Sequence, residues 1–503
     1  MPDQIAVAAP NALSTQAGVQ VAQAGGSAVD AAIAALMTAY VTEPGLVSAL
    51  GGAFINVWPS DGSPIVIDGN CEMPGRGLAE DRFGGGIREL FLNYAGGITV
   101  FAGPGSAATP GAFAACAMAT ERFGRASRAD VLAPAISAAR DGFTVGSASG
   151  SYLRLVGDPL YAFDPVTRAI HFHGDSPVGL GDTMTNADLA RTLEILAQQG
   201  FSSLYDGDLA EAVADHVQRT GGLLTRADLA AYQAVARPAN RTRLGRWDIA
   251  TNPPPSIGGP VLTTMLRMLA ESGTSPAALI DVQTRVLRYR EAHLDRAVDL
   301  AAAGLHMLHS RPDGDRAALS TSGDTVHVSA VDAGGTACSI TSSAGYSSGV
   351  TVPGTGLVLN NCLGEPELNR LGLHALPTGT RIASNMAPTT ARSTDGGLLA
   401  IGSPGADRIT TALMQVMGRY CLDDAGLQEG IDAPRLHIQL VDDHEVVQYE
   451  PDAQIEAQLG GRDAVEHPAH AMYFGGVAAA YRASDGTLFA AADPRRAAGT
   501  AIG

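Results

Sequence analysis

The sequence predicts an α+β protein, because helical and strand-like patterns occupy different parts of the chain. In the first 300 residues, segments such as "ADVLAPAISAARDGF" and "DLAEAVADHVQRTGG" have helical character and end near glycine. From Thr325 onward, short segments with alternating residue types dominate, among them "TVHVSAVD", "TACSITSS" and "LLAIGSP". A helix-rich part, residues 1–324, therefore precedes a strand-rich part, residues 325–503.

Caps, glycine-containing breaks and polar segments mark where the predicted helices and strands begin and end. Residues 11–40 predict a capped helix, a break at Gly25 and Gly26, and a second, alanine-rich helix that starts near Ser27. The glycine-rich stretch "EPGLVSALGGAF" leads into the strand-like "FINVWP" and "PIVIDG". After the helical "DVQTRVLRYREAHLDRAVDLAAAGL", the polar run "HSRPDGDRAALSTSGD" predicts an exposed, mobile segment. A cleavable segment would thus directly precede the strand-rich part.

Composition limits the partners. The chain has 503 residues, 46% of them hydrophobic and 17% charged, with a net charge of −18. Nucleic acid and anionic membranes bind basic surfaces, so neither is expected as the main partner. The 5 cysteines are scattered without a CxxC pair or a Cys/His cluster, which predicts free thiols and neither a zinc site nor a disulfide framework.

The N-terminus gives no sign of export. "MPDQIAVAAPNALSTQAG" has neither a basic region nor a continuous apolar region, so it does not resemble a secretory signal. No window approaches 18 apolar residues without charge. A cytoplasmic location is therefore the expectation.

Two short motifs suggest other enzymes. Residues 345–349, "GYSSG", match the G-x-S-x-G pattern of serine α/β-hydrolases, but the β-branched "VTVPGTG" that follows predicts no helix. Residues 103–108, "GPGSAA", imitate a dinucleotide-binding fingerprint, yet Pro110 lies where its helix would run, and an interior proline costs about 3 kcal/mol. We expect neither NAD nor FAD.

The dipeptide of Asp324 and Thr325 carries the chemistry. A threonine hydroxyl needs a neighbouring base to act as a nucleophile, and its own α-amino group supplies one once the preceding peptide bond is cut. Thr325 lies at the start of a strand, directly after the polar segment. Local pattern alone favours an ordinary half-buried strand with Thr325, His327 and Ser329 on one face.

The order of motifs along the chain favours a catalytic Thr325 over an ordinary strand residue. After "DTVHVSAVDAGGTACSITSS" come "SSGVTVPGTGLVLNN", "RIASNMAPT", "IGSPGADRIT" and "AADPRRAAG". Upstream lie "STQAGVQVAQAGGSAVDAAIAA", "EPGLVSALGGAF", "PAISAARDGF", "GGLLTRADLAAY", "PPPSIGG" and "REAHLDRA". This succession covers nearly the whole chain and resembles the γ-glutamyltransferase family of N-terminal nucleophile hydrolases.

The resemblance implies a four-layer αββα sandwich and a precursor that cuts itself between Asp324 and Thr325. The two fragments would stay packed as one unit, and pairing of two such units into a dimer is left open. The implied substrate is a small-molecule amide with water or an amine as acceptor. No metal or other cofactor is implied, so chelators should not reduce the rate.

The resemblance also assigns catalytic roles by position. Thr325 would attack the scissile carbonyl, Ser343 would hydrogen-bond this nucleophile, and the backbone N–H groups of Gly405 and Ala406 would form the oxyanion hole. Ser343 as a plain strand serine and residues 404–406 as an ordinary turn remain the alternatives. His327 is left outside the core roles, because a buried structural histidine fits its position at least as well.

The substrate positions depart from the family pattern. The positions implied to contact substrate are Ser384, Asn385, Glu365, Cys362 and Gly345. Asn385 replaces a second serine, Cys362 and Glu365 replace an acid or amide and an aspartate, and Gly345 replaces an asparagine.

A further departure removes a charge. In "IDGNCEMPGRG", Asn70 and Cys71 lie where the family has an arginine that binds the substrate α-carboxylate. Arg76, Arg381 or Arg408 could take over that task. Otherwise we expect weak activity on glutathione-like donors and better activity on another amide, such as those of the related cephalosporin acylases. A non-catalytic, unprocessed binding protein and a serine α/β-hydrolase are the competing functions.

Overall fold

The computed structural model describes residues 4–93, 97–312, 325–441 and 444–503, and every structural statement below refers to them. Its strands are β1 (Ile5–Ala9), β2 (Gly52–Trp58), β3 (Ile65–Gly69), β4 (Arg88–Leu92), β5 (Ile98–Ala102), β6 (Phe143–Thr144), β7 (Phe172–His173), β8 (Ser176–Pro177), β9 (Thr183–Met184), β10 (Val235–Pro238), β11 (Asn240–Leu244), β12 (Trp247–Thr251), β13 (Val326–Asp332), β14 (Ala337–Ser343), β15 (Thr351–Val352), β16 (Leu357–Val358), β17 (Thr389–Ser393), β18 (Leu398–Gly402), β19 (Leu436–Val441), β20 (His444–Tyr449), β21 (Asp463–Glu466), β22 (Ala478–Arg482), β23 (Leu488–Ala492) and β24 (Gly499–Ile502).

The helices are α1 (Ala12–Gln23), α2 (Ala28–Thr42), α3 (Ala112–Phe123), α4 (Arg128–Asp141), α5 (Ser147–Tyr161), α6 (Pro165–His171), α7 (Ala187–Gln199), α8 (Ser203–Asp206), α9 (Asp208–Arg219), α10 (Arg226–Ala231), α11 (Gly258–Ser272), α12 (Pro276–His293), α13 (Leu300–His309), α14 (Arg408–Leu422), α15 (Leu427–Asp432) and α16 (Ala453–Glu456). None of these described helices is both long enough and apolar enough to cross a membrane.

The N-terminal helices form where the sequence predicts them. The Asn11 side chain caps α1 by accepting a hydrogen bond from the Ser14 N–H at 2.9 Å. Ser27 and Asp30 form a capping box at the start of α2, after a break at Gly25, where φ is +99°. Every residue of α2 is buried. Its many alanines let it pack closely between the sheet below and the helices above.

Two antiparallel sheets form the centre of the fold. As far as the described residues go, the larger sheet has the order β10-β3-β2-β14-β13-β1-β24, and the second has the order β11-β12-β17-β18-β22-β23. Each sheet contains strands from both sides of Thr325, for example β1 next to β13 and β12 next to β17. The division of the chain into segments 1–324 and 325–503 stays a prediction.

The layers follow from which residues each face buries. One apolar core joins α2 and α3 to the outer face of the larger sheet, and another joins α11, α12 and α14 to the outer face of the second sheet. A third, small cluster lies between the sheets and includes Ala6, Val331, Ala400 and Ala480. The order helix, sheet, sheet, helix confirms the four-layer αββα sandwich that the resemblance implies.

Strand β13 places its residues between these cores. Val326, Val328 and Ala330 belong to the helix-side core, so the alternate residues face the second sheet. Accordingly, the Ser329 hydroxyl donates to the Ala478 carbonyl of β22 at 3.2 Å. The face that carries Thr325, His327 and Ser329 therefore points into the space between the sheets.

The motif at residues 345–349 does not build a serine-hydrolase elbow. The chain continues from Gly349 into strand β15, as the β-branched sequence predicts, and not into a helix. At the other motif, α3 begins only at Ala112, after Pro110 and Gly111. The first segment has no following helix, and in the second the helix begins four residues after the motif and follows a strand of an antiparallel pair, so neither motif has the structure it requires.

Candidate active site

Thr325 lies at one end of the central hairpin of the larger sheet. Val326, the first residue of β13, pairs with Ser342 of β14, so the antiparallel register sets Thr325 opposite Ser343. Thr325 is buried, with 4% of its surface exposed. The two hydroxyl residues predicted from sequence thus meet at the same edge of the sheet.

A pocket at this edge gathers most of the predicted site. It encloses about 480 Å³ of empty space, part of it open to solvent. Among the sequence-predicted residues, its lining includes Thr325, Ser343, Cys362, Glu365, Ser384, Asn385 and Ala406. Other lining residues include Asn70, Cys71, Glu367, Leu368, Met386 and Ile409. Asp324 lies outside the described residues.

The segment 403–407 presents free backbone donors beside Thr325. It connects β18 to α14, with φ of +126° at Gly405 and +53° at Ala406. These left-handed conformations turn the two peptide units away from regular structure. Within the part of the chain that the structure describes, the N–H groups of Gly405 and Ala406 have no hydrogen-bond partner. Such donors suit a developing oxyanion.

Ser384 and Asn385 are held by the start of α11. The Ser384 carbonyl accepts hydrogen bonds from the N–H groups of Ile257 at 3.1 Å and Gly258 at 3.0 Å. The Ser384 hydroxyl oxygen accepts from the Met386 N–H at 3.3 Å, which leaves its own proton available to a ligand. The buried side-chain oxygen of Asn385 has no hydrogen-bond partner among the described residues. Both side chains are therefore available for polar contact in the pocket.

Gly345 lies behind the pocket and supports it. Its φ is +61°, and a Cβ there would lie 2.1 Å from the Asn361 side-chain oxygen and 2.9 Å from a carboxylate oxygen of Glu365. Its N–H donates to the Ser343 hydroxyl at 3.2 Å. Gly345 is absent from the described lining of this pocket and lies beside Ser343 and Glu365, which do line it, so its contact with the substrate stays a prediction.

Two thiols lie together in the pocket wall. Cys71 and Cys362 are both buried free cysteines. The Cys362 thiol donates a hydrogen bond to Cys71, and this bond and burial raise the pKa of Cys362, so it stays protonated and uncharged. The position that carries an arginine in the family pattern therefore presents an amide and a thiol group instead of a guanidinium.

None of the three arginines considered as replacements lines the pocket. Arg381 donates to the Asn70 carbonyl at 2.9 Å and pairs with Glu72 at 3.0 Å, behind the pocket wall. Arg408 pairs with Asp407 at 2.8 Å, and Arg76 lies 3.9 Å from Asp228. Among the described lining residues there is no arginine or lysine, while Glu365 and Glu367 add two carboxylates.

His327 has a structural role. Its Nδ1 lies 2.8 Å from the Thr341 hydroxyl and its Nε2 lies 2.8 Å from the Ser329 hydroxyl. Burial lowers the pKa of His327 to about 3, so the ring is neutral at physiological pH. With both nitrogens engaged by hydroxyl groups, this imidazole is not placed to exchange protons with a substrate.

We expect acid to destabilise the fold through His327. In the unfolded chain the imidazole has a pKa near 6.5 and binds a proton, whereas the folded imidazole stays neutral down to about pH 3. The unfolded state therefore binds more protons between these pH values, and the free energy of unfolding falls by about 1.4 kcal/mol per pH unit from this group. Urea unfolding at pH 7, 6 and 5 should show a shallower decline for His327→Gln. An unchanged decline would contradict the assignment.

Sequence reasoning missed several residues of the wall. Glu367 and Leu368 follow the predicted Glu365, and Met386 follows the predicted Asn385, so neighbouring positions were the available signal. Asn70 is a second-layer support, because its side-chain N–H donates to the Ile382 carbonyl at 2.7 Å and so fixes the segment that carries Ser384. Among the described residues, no group of acidic, histidine and cysteine side chains is arranged to hold a metal ion.

Comparison with known proteins gives a consistent picture. The family model for gamma-glutamyltranspeptidase matches residues 14–296 and 281–503. The glutathione hydrolase proenzyme of Escherichia coli (strain K12) is 28% identical over 539 residues, covering 97% of this chain and 90% of that protein. The Acylase ACY 1 proenzyme of Pseudomonas sp. (strain SE83) is 30% identical over 518 residues, covering 95% and 90%.

Among solved structures, cephalosporin acylase from Bacillus halodurans superposes with a TM-score of 0.82 at 23% sequence identity. The match covers 99% of this chain and 96% of the acylase. At this identity the likeness shows the fold, which is the N-terminal nucleophile hydrolase sandwich.

Proposed function

Because the chain belongs to the gamma-glutamyltranspeptidase family, we propose that Thr325 is the nucleophile of a self-processing amidase. The protein is an enzyme of the amidohydrolase and acyltransferase type, as its relatives are proenzymes of that kind. The competing non-catalytic and serine-hydrolase functions are not favoured. The observation that carries the proposal is that Thr325 and Ala406 line one pocket, and that the backbone N–H groups of Ala406 and its neighbour Gly405 have no hydrogen-bond partner in the described part of the chain.

The reaction would proceed in two steps. Cleavage before Thr325 frees its α-amino group, which takes the hydroxyl proton while Oγ attacks the amide carbonyl. The N–H groups of Gly405 and Ala406 stabilise the oxyanion, and the amine leaves with the proton. Water or a second amine then attacks the Thr325 ester and releases the acyl group. Ser343, opposite Thr325, would hold the nucleophile in place.

The lining of the pocket suits an acyl group that lacks an α-carboxylate. A γ-glutamyl group carries a carboxylate and an ammonium ion, and each needs a partner because an unpaired buried charge costs several kcal/mol. Glu365 suits the ammonium, but for the carboxylate the described lining offers the polar side chains of Ser384 and Asn385 and no arginine or lysine. We therefore propose that neutral acyl groups are preferred. Relatives named glutathione hydrolase and acylase match about equally well, so the proposal rests on the pocket lining and not on their names.

A panel of p-nitroanilides tests this preference. We expect processed enzyme to favour a neutral acyl group over γ-glutamyl, glutaryl and succinyl groups. A missing charged partner for the carboxylate is worth about 2 to 4 kcal/mol, or roughly 30- to 1000-fold in kcat/KM. Thr325→Ala is the blank for every substrate. A γ-glutamyl preference above tenfold would show that another cation reaches the pocket and would overturn the proposal.

A further inference from the structure

A second, smaller cavity lies beside the catalytic pocket and is lined by charged groups. It encloses about 340 Å³ of empty space, part of it open to solvent. Its walls are formed by Leu287, Arg290, Glu291, Asp295, Arg370, Asp407, Ile438 and Leu440. These residues come from the end of α12, the segment after Glu365, the start of α14 and strand β19.

Two chain segments contribute residues both to this cavity and to the catalytic pocket. Asp407 directly follows Ala406, and Arg370 lies two residues beyond Leu368, while Ala406 and Leu368 line the catalytic pocket. The Arg370 Nε donates to the carbonyl of Glu367, another catalytic-pocket residue, at 2.9 Å. The two pockets are therefore neighbours on either side of the oxyanion segment.

Most of the lining charges already have partners. Arg290 donates to Asp295 at 2.9 Å, with only 6% of each side chain exposed. Asp407 pairs with Arg408 at 2.8 Å, and the His437 Nε2 lies 3.3 Å from its other oxygen. These contacts neutralise Arg290, Asp295 and Asp407 within the protein.

Two opposite charges are left over. The Glu291 Oε2 and the Arg370 Nη2 are both buried, and neither has a hydrogen-bond partner among the described residues. Glu291 has only 5% of its surface exposed. No ion pair within 4 Å joins the two groups in the described structure, although both line this cavity. Buried polar atoms are normally satisfied, so this arrangement points to a ligand.

The electrostatics of Glu291 agree with a cationic partner. Burial and the neighbouring Asp295 raise the pKa of Glu291 to about 7. The charged groups near it are Arg290, Asp295 and Arg296 on its own segment, Arg370 from the opposite wall and Asp407 from the start of α14. An ammonium ion beside Glu291 would favour its ionised form.

We propose that this cavity binds a zwitterionic head group on the amine half of the substrate, with its carboxylate on Arg370 and its ammonium on Glu291. The inference rests on the proposed function. The amine half of the amide leaves, or an acceptor amine enters, on the side of the oxyanion segment that borders the cavity. Because the reacting nitrogen lies at Thr325, the head group must be separate from it. The substrate class is then an amide formed on the side-chain nitrogen of a diamino acid.

Four amides of one neutral acyl group test the proposal on processed enzyme. The amine parts are lysine acylated at Nε, 1,5-diaminopentane, 6-aminohexanoate and pentylamine, which offer both charges, only the ammonium, only the carboxylate, or neither. We expect the lysine derivative to have the highest kcat/KM, about 10- to 100-fold above the pentylamide. Equal rates for the lysine and pentyl derivatives would overturn the proposal and would indicate that only water fills the cavity.

Variants assign the two charges separately. Arg370→Gln should lower kcat/KM about tenfold or more for the two carboxylate-bearing amides, and Glu291→Gln for the two ammonium-bearing amides. Each loss is measured relative to the rates on the pentylamide and the p-nitroanilide, because Arg370 also donates to the Glu367 carbonyl of the catalytic pocket. Arg296→Gln is the matched control, because Arg296 is exposed on the same segment and does not line the cavity.

The results distinguish a failure of the proposed amidase function from a failure of the proposed head-group site. If no acyl p-nitroanilide is turned over, the proposed function fails, whatever the cavity binds. If the p-nitroanilide reacts normally and the variants change all four amides equally, the active site works and the proposed head-group site is wrong.

Discussion

Thr325→Ala is expected to remain one 51.5 kDa chain and to lose at least about 10⁴-fold of the amidase activity. The change removes the hydroxyl that would attack both the peptide bond before residue 325 and the substrate carbonyl. The backbone N–H groups of Gly405 and Ala406 do not depend on this side chain, so substrate binding should persist. Intact-mass analysis measures processing, and p-nitroanilide hydrolysis measures activity.

Two control variants distinguish the loss of the nucleophilic hydroxyl from a structural disturbance of strand β13. Thr325→Ser keeps a hydroxyl and should still be cut, yielding a fragment that starts at residue 325. Ser329→Ala removes a buried hydroxyl from the same face of β13 and should leave processing intact. A fully active wild-type protein that remains one chain, or a Thr325→Ala variant that is still cut, would contradict the N-terminal nucleophile mechanism.

The sequence predicts that Thr325 and Ser343 lie together, for a physical reason. Thr325 and Ser343 are the ends of two strands joined by a short turn, so local pairing brings them together. Ser384, Asn385 and Ala406 lie in loops far along the chain, and only the resemblance to a family could group them with Thr325. The order of the four layers was likewise predictable only from the resemblance to that family.

Side-chain direction was not predictable. Whether Arg381 or Arg408 reaches the pocket depends on acidic partners, and Glu72 and Asp407 hold them elsewhere. The surroundings of Gly345 could not be predicted either, because they depend on the close approach of Asn361 and Glu365 to its backbone. No motif marks Glu291 and Arg370 as neighbours, because their segments meet only through the packing of α12 against the segment after Glu365.

Gly402→Ala is expected to lower the free energy of unfolding strongly and to disturb the neighbouring segment 403–407, which lies beside Thr325. Gly402 ends β18 directly before the segment 403–407, and a Cβ there would lie 2.2 Å from the His327 ring. Real side chains do not approach that closely, and the ring is held by hydrogen bonds to Thr341 and Ser329. Overpacking of this kind costs about 3 kcal/mol. It would also push the free N–H groups of Gly405 and Ala406 away from Thr325.

The cause can be isolated with a second substitution. His327→Ser removes the ring that the new methyl group would strike. The double variant, Gly402→Ala with His327→Ser, should therefore recover much of the stability that Gly402→Ala loses. Such non-additivity is expected only for residues in contact. Gly146→Ala is the matched control, since its φ is −74° and nothing lies within 4 Å of the added Cβ. Urea unfolding and p-nitroanilide hydrolysis measure the two effects. If the double variant is no more stable than Gly402→Ala alone, the clash is not with His327, and the spacing of the two sheets beside Thr325 is not set by this histidine.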